Sequence, residues 1–202
     1  KPNFEIFNIY AVILFELKKY DEAIKYWKKT IELNPNYHFG YNNLGNVFLK
    51  RNQFKEAINC YEKAINIKSD YYEAYHNKGN VYQMMNDFEN AIKNFDKVLE
   101  IKSDYLPAIK SRSDIYFKQK NFKKALNELE KIIIYEPNNI NSYIQKADIL
   151  CENGHFKEGI ENYKTALNLN PNHSFLLGDF IHAKMRICDW ENIDLDIKKL
   201  EE

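Results

Sequence analysis

The sequence predicts an all-α protein: a right-handed superhelical solenoid of antiparallel helix pairs, closed by a C-terminal capping helix. Three observations predict it. First, residues recur at a step of 34, as at Ala23, Ala57, Ala91 and Ala125, with Gly159 next in the series. Second, apolar residues inside each step fall at helical spacing; Tyr41, Leu44, Gly45 and Phe48 stand at i, i+3, i+4 and i+7. Third, glycine and proline are scarce, 6 and 5 in 202 residues, too few for the many tight turns of a β-sandwich. A fixed period of this size marks a repeat architecture.

Five units keep one register: 4–37, 38–71, 72–105, 106–139 and 140–173. Each holds two helices. In the second unit Tyr41, Leu44, Gly45 and Phe48 make one face of the first helix, and Ala57, Ile58, Tyr61, Ala64 and Ile65 one face of the second. Small residues at Gly45 and Ala57 let the two approach closely. Asn52 and Gln53 occupy the turn between them. The second helix ends around Asn66 to Asp70, and in other units Pro35, Pro137 and Pro171 end it, since proline cannot continue a helix. Trp27, Tyr61, Phe95, Leu129 and Tyr163 supply the large residue of each unit at the same step.

Tyr41, Leu44, Gly45, Phe48, Ala57, Tyr61, Ala64 and Ser69 match the pattern of the tetratricopeptide repeat, and the chain resembles that family over residues 4–173. Two units depart from it. The fourth has Arg112 and Ser113 in place of the Leu-Gly pair, and the fifth has Lys146 and Ala147 with Gly159 at the alanine position, so both are expected to pack less tightly. One helix pair cannot bury its own apolar face, so neighbours must stack into a continuous core with a long concave groove.

On the first helix of each unit, positions 6 and 9 lie on a stripe away from the packing face. The resemblance implies that this stripe faces the groove. Position 6 holds Ile9, Asn43, Asn77, Ser111 and Gln145; position 9 holds Val12, Asn46, Asn80, Asp114 and Asp148. Side-chain amides donate and accept, so Asn43, Asn46, Asn77 and Asn80 suit the backbone of an extended peptide. The alternative is the general asparagine richness of the chain, which Asn42 and Asn59 illustrate. Repeats that clamp a C-terminal carboxylate need basic residues at matching positions. Here the first unit offers Asn8 and Val12 and the third Glu73 and Asn77, so an acidic tail is a poor ligand.

The first unit differs in another way. Ile9, Val12 and Phe15 stand where later units are polar, and an exposed apolar stripe usually marks a contact. Either a preceding repeat or another copy of the chain docks there, and the expectation is a homodimer.

Residues 174–202 are expected to break the period. Phe175, Leu176, Phe180, Ala183 and Ile187 read as one more first helix capping the stack. Cys188, Asp189 and Trp190 follow, then Asp194 and Lys198-Lys199-Leu200. This run resembles the segment that joins the repeats of O-linked N-acetylglucosamine transferases to their catalytic domain. The resemblance implies a nucleotide-sugar transferase as parent, with these repeats as its substrate-recruiting arm. The plainer reading is a cap in which Trp190 covers the last apolar face; one set of residues can serve both.

Composition narrows the function classes. Basic and acidic residues number 29 each, so no general footprint for nucleic acid exists, although single units carry +2, −2 and +3 and the tail −3. Lys118, Lys120, Lys123 and Lys124 form a local basic turn with no interleaved aromatic platform. No run of about 20 apolar residues exists to span a bilayer. Cys60, Cys151 and Cys188 are too few and too scattered for a disulfide framework, which fits a reducing, cytoplasmic setting. Cys151 and His155 stand at i, i+4, but two ligands make no structural zinc site. There is no glycine-rich phosphate loop and no serine-nucleophile motif. The expectation is a non-enzymatic scaffold without cofactor or metal that binds a protein or extended peptide. A free-standing adaptor is the alternative, and an enzyme in its own right the third.

Overall fold

The structure, a computed structural model, describes residues 3–173 and 175–201. These residues form twelve helices and no strand. In order they are α1 (Phe4–Glu16), α2 (Tyr20–Leu33), α3 (His38–Lys50), α4 (Phe54–Ile67), α5 (Tyr72–Met84), α6 (Phe88–Ile101), α7 (Leu106–Lys118), α8 (Phe122–Tyr135), α9 (Ile140–Glu152), α10 (Phe156–Leu169), α11 (Leu176–Arg186) and α12 (Ile193–Glu201). The chain divides into two compact units, residues 1–111 and 112–202, with the boundary inside α7.

In the first unit α1 packs on α2, α3 on α4 and α5 on α6; α2 also packs on α3, and α4 on α5. In the second unit α9 packs on α10 and α11 on α12, while α8 lies against α9 and α10 against α11. The part of α7 in this unit meets α8 through Arg112, whose Nη2 donates to Glu128 Oε1 at 2.6 Å, and through the rings of Phe117 and Phe122. Consecutive helices therefore pair, as the apolar periodicity requires.

The turn inside each pair is the most regular feature of the backbone. Lys18, Asn52, Asn86, Lys120, Gly154 and Cys188 all have positive φ, between 55° and 80°, at steps of 34. The residue after each donates its N–H to the carbonyl five residues before it: Lys19 to Leu14, Gln53 to Phe48, Asp87 to Tyr82, Asn121 to Tyr116, His155 to Leu150 and Asp189 to Lys184, at 2.8–3.0 Å. This left-handed closure satisfies carbonyls that the helix end leaves unpaired. Asparagine and glycine tolerate that φ, whereas lysine and cysteine carry a Cβ penalty of about 1–2 kcal/mol.

Small residues then set how closely the two helices of a pair meet. A Cβ built on Gly45 would lie 2.6 Å from Tyr61 Cε1, and one on Gly79 would lie 2.6 Å from Phe95 Cε1. The ring of the second helix thus sits directly on the backbone of the first. Ala11, Ala23, Ala57, Ala91, Ala125 and Ala147 are fully buried at the corresponding contacts. A Cβ on Gly159 would collide with Cys151 Sγ, so in the fifth unit the glycine stands on the second helix and a side chain of the first helix takes up the space.

The two departing units are accommodated by charge. Lys146 Nζ lies 3.1 Å from Glu130 Oε1 on the preceding second helix, as Lys78 Nζ does from Glu62 Oε1 at 2.8 Å. Arg112 and Glu128 form a pair whose side chains are 14% and 7% exposed. Basic residues at the position of Leu44 thereby exchange apolar contact for ion pairs between or within units.

The C-terminal segment follows the period further than its sequence suggests. Cys188 occupies the same left-handed turn, 34 residues after Gly154. The aromatic that opens each second helix, Tyr20, Phe54, Phe88, Phe122 and Phe156, continues at Trp190. Pairing nonetheless loosens there. The two close-approach positions carry Ile181 and Ile193, where earlier units have glycine, alanine or serine. Asn192 takes φ 56° and α12 starts only at Ile193. Trp190 is consequently 57% exposed and does not cover the last apolar face. Phe175, expected inside the capping helix, is its N-cap in a left-handed conformation and is 86% exposed. Ser174 lies outside the described residues.

Two substitutions test this account in opposite directions. Gly45→Ala should lower stability by about 1–3 kcal/mol, overpacking outweighing the helix preference of alanine. Lys120→Gly should raise it by up to about 1 kcal/mol by relieving the left-handed φ. Urea unfolding midpoints read both; a higher midpoint for Gly45→Ala contradicts the ring-on-backbone contact.

Candidate functional site

The polar stripe lies on the first helices of the pairs, where the packing face leaves it. In the first unit Asn43 and Asn46 on α3 and Asn77 and Asn80 on α5 are all half-buried, as is Ser111 on α7. The amides do not simply point outward. Tyr61 donates its hydroxyl to Asn46 Oδ1 at 2.8 Å, and Asn77 Nδ2 donates to Asn42 Oδ1 at 3.0 Å. On α1, Asn8 Oδ1 accepts from Trp27 Nε1 at 3.0 Å. Each bond ties a stripe residue or its neighbour to the packed interior, so part of the asparagine pattern serves folding. Asn42 is buried, which removes it from the general surface bias that its identity suggested. His76, one turn before Asn80, packs against Phe95 and Tyr105, and burial pushes its pKa down.

In the second unit the stripe turns acidic, with Asp114 exposed and Asp148 half-buried. Asp114 on α7 bonds the side chain of Gln145 on α9, and desolvation raises its pKa against that bond and the charge of Lys118. Asp148, one turn along α9, accepts the Tyr163 hydroxyl at 2.6 Å. Beside it opens a cleft of about 470 Å³ between α9, α10 and α11. Its carboxylates are Asp148, Glu152 and Asp179; His182, Arg186, Phe117 and Phe156 complete the walls. The Arg186 guanidinium is held over the Phe156 ring at 5.3 Å. Three carboxylates face one guanidinium, so the cleft is negative. Burial raises the Asp148 carboxyl above the usual carboxylate range, and Asp179 and Glu152 push it further up while Tyr163 opposes them.

Sequence reasoning ends the stripe at Asp148 and misses Glu152, Asp179, His182 and Arg186. The signal was available. Adding one period of 34 to Gln145, Asp148 and Glu152 gives Asp179, His182 and Arg186. Treating residues 174–202 as a break hides that continuation.

The other singled-out residues fall as follows. Ile9 and Val12 are exposed, but Phe15 is half-buried and packs its ring on Tyr20 and Trp27, so it belongs to the core rather than to a contact stripe. The exposed stripe of α1 is instead Ile6, Ile9, Tyr10, Ile13 and Leu17. Cys188 and Asp189 form the turn after α11, where Lys184 donates its ammonium to the Glu191 carbonyl and so fixes the chain leaving the turn. Cys151 faces Gly159, while His155 is exposed and sits beside Glu158. Cys60 is buried, which pushes its thiol up to about 11 and keeps it protonated. Among the described residues, no group of three or more His, Cys, Asp or Glu is placed to hold a metal, and no helix is long and apolar enough to cross a membrane.

Helix pairs at a 34-residue step, closed by small residues and opening a polar stripe, define a helical repeat protein. The chain belongs to the tetratricopeptide-repeat family: patterns of that repeat match residues 11–37, 26–59, 45–86, 72–105 and 140–173. No curated protein matches it. Solved structures share the fold at low identity. The chain is similar to YrrB, a TPR protein with an unusual peptide-binding site, at 17% identity and TM-score 0.71, covering 86% of this chain and 89% of that one. It is similar to MamA at 21% identity and TM-score 0.75, covering 83% and 92%. A tetratricopeptide repeat protein from Parabacteroides merdae aligns at 16% identity and TM-score 0.76, covering 98% and 78%.

The raised Asp148 pKa sets a pH dependence. The folded chain holds that proton more tightly than the unfolded chain, so this site's contribution is most favourable at low pH and falls as pH rises through the folded value. Asp148→Asn removes the charge and keeps an acceptor for Tyr163. It should raise Tm at neutral pH, with the gain fading below about pH 3 where the wild-type carboxyl is protonated in both states. Thermal melts across pH measure this; a variant less stable at neutral pH sinks the desolvation account.

Proposed function

We propose that the chain is a protein-binding scaffold whose first-helix stripes hold extended peptide, and that the cleft of the second unit selects a segment carrying lysine or arginine. The observation that carries this is the cleft itself: Asp148, Glu152 and Asp179 converge beside the aromatic walls Phe117 and Phe156. Carboxylates pair with a cationic head, and aromatic rings take both its methylene stem and its charge. In the first unit the oxygens of Asn42 and Asn46 are already engaged, and so are one N–H of Asn77 and the Nδ2 of Asn80 against His76, so peptide carbonyls would meet the remaining amide N–H groups of the stripe. YrrB, similar in fold, has a peptide-binding site of its own.

The link to an O-linked N-acetylglucosamine transferase rests on the Cys188-Asp189-Trp190 resemblance alone. These residues occupy the turn that Asn52, Gln53 and Phe54 occupy in the second repeat, and the repeat geometry accounts for them. We therefore propose the scaffold, with no transferase assigned. An adaptor in a multiprotein assembly fits the same surfaces.

Phage display of random peptides on the full chain tests the reading. Selected sequences should be enriched in lysine and arginine, and Asp148→Asn with Asp179→Asn should abolish the enrichment. Asn43→Ala with Asn80→Ala should weaken selected peptides about tenfold, the loss of one to two hydrogen bonds. Recovery of acidic or no consensus peptides refutes the cleft assignment.

A further inference from the structure

The turn between α7 and α8 departs from the other turns inside the repeats. From Ile115 to Asn127 the chain carries Lys118, Lys120, Lys123 and Lys124 and no carboxylate. All four lysines are exposed. The helices α2, α4, α6 and α10 each hold acid in the first turn, Asp21 and Glu22, Glu56, Glu89 and Glu158, which complements the positive end of a helix. In α8 Lys123 and Lys124 stand there instead, against the dipole. Lys120 takes φ 55°, a conformation that suits Asn52, Asn86 and Gly154 at the same step better than a lysine. Among the described residues none of the four is in an ion pair, whereas Lys78, Lys93, Lys97 and Lys146 are. Three unfavourable choices converge on one turn, which marks a surface kept for its charge.

A hollow of about 280 Å³ opens beside these lysines. Its apolar walls are Phe122, Leu126 and Leu150, and Lys123 also lines it. Glu158, the one carboxylate on its lining, lies 3.7 Å from His155 Nδ1. The hollow shares no lining residue with the acidic cleft. A space of this size takes one apolar side chain rather than a small-molecule ligand.

We propose that this edge of the second unit docks an acidic segment of a partner protein, one leucine or phenylalanine of which enters the hollow. Charge complementarity and the apolar walls together select that occupant. A single-stranded nucleic acid needs exposed rings to stack on, whereas Phe117 and Phe122 are half-buried against each other and Lys124 lies over the Tyr116 ring. A membrane surface needs large apolar side chains that protrude, whereas Phe122 and Leu126 are half-buried and Leu150 is buried. The docking does not depend on what the cleft binds.

Fluorescence anisotropy of a labelled Glu-Glu-Glu-Leu-Glu-Glu-Glu peptide with the full chain, at about 50 mM salt, tests it. Affinity should fall as salt rises, and replacing the leucine of the peptide by alanine should weaken binding about tenfold. Lys123→Asp with Lys124→Glu installs the residue types that Asp21 and Glu22 supply in the first repeat, so Tm should not fall, yet binding should drop at least about tenfold. Lys50→Glu with Lys55→Glu makes the same charge change in the first unit and should leave binding within about twofold of wild type. A wild-type chain that does not bind the peptide overturns the proposal. So does equal binding of the alanine peptide, or a Lys50, Lys55 variant that loses as much binding as the Lys123, Lys124 variant. Tighter binding of hexathymidylate or of phosphatidylserine vesicles that also needs Lys123 and Lys124 overturns it in favour of nucleic acid or membrane.

Discussion

The contact on which the structure depends is an aromatic ring lying on a glycine backbone. Tyr61 on Gly45 and Phe95 on Gly79 bring the helices of their pairs to a separation that no Cβ allows. That separation fixes which residues of the first helix are buried and so which remain as its open stripe. Where the contact is rebuilt from other small residues, as at Ala147 and Gly159, the pair survives. Where Ile181 and Ile193 fill both positions, α12 starts late and Trp190 is left in solvent.

The same constraint ties fold to function. Close pairing buries the facing sides of the two helices, so what the first helix leaves open is the stripe and, in the second unit, the cleft beside it. In the first unit that surface is amide-rich and partly spent on bonds to Tyr61 and between Asn42 and Asn77. In the second unit carboxylates replace amides at the same positions. The change from Asn46 and Asn80 to Asp114 and Asp148 exchanges side chains that both donate and accept for ones that only accept when ionised and carry negative charge.

Much of this was legible in the residues. The 34-residue step and the helical spacing anticipated an all-helical chain of consecutive helix pairs, because repeats average out the ambiguity of any single segment. The stripe positions followed from 100° per residue. What misled was local identity. Phe15 looked like a surface aromatic because its neighbours Ile9 and Val12 are exposed, yet it turns inward onto Trp27. Cys188-Asp189-Trp190 looked like a motif because of its residue types, whereas its backbone is the common intra-pair turn.

The sequence by itself determined the helix pairs, their step and the face each first helix keeps free, because those follow from periodicity and from small residues at fixed intervals. Only the tertiary structure decided which amides are engaged, which carboxylates converge and where an apolar face stays uncovered. Those properties depend on the separation and orientation of helices far apart in the chain. A hydrogen bond such as that of Tyr163 to Asp148, or a cleft joining Glu152 to Asp179, exists only once packing has fixed the distance.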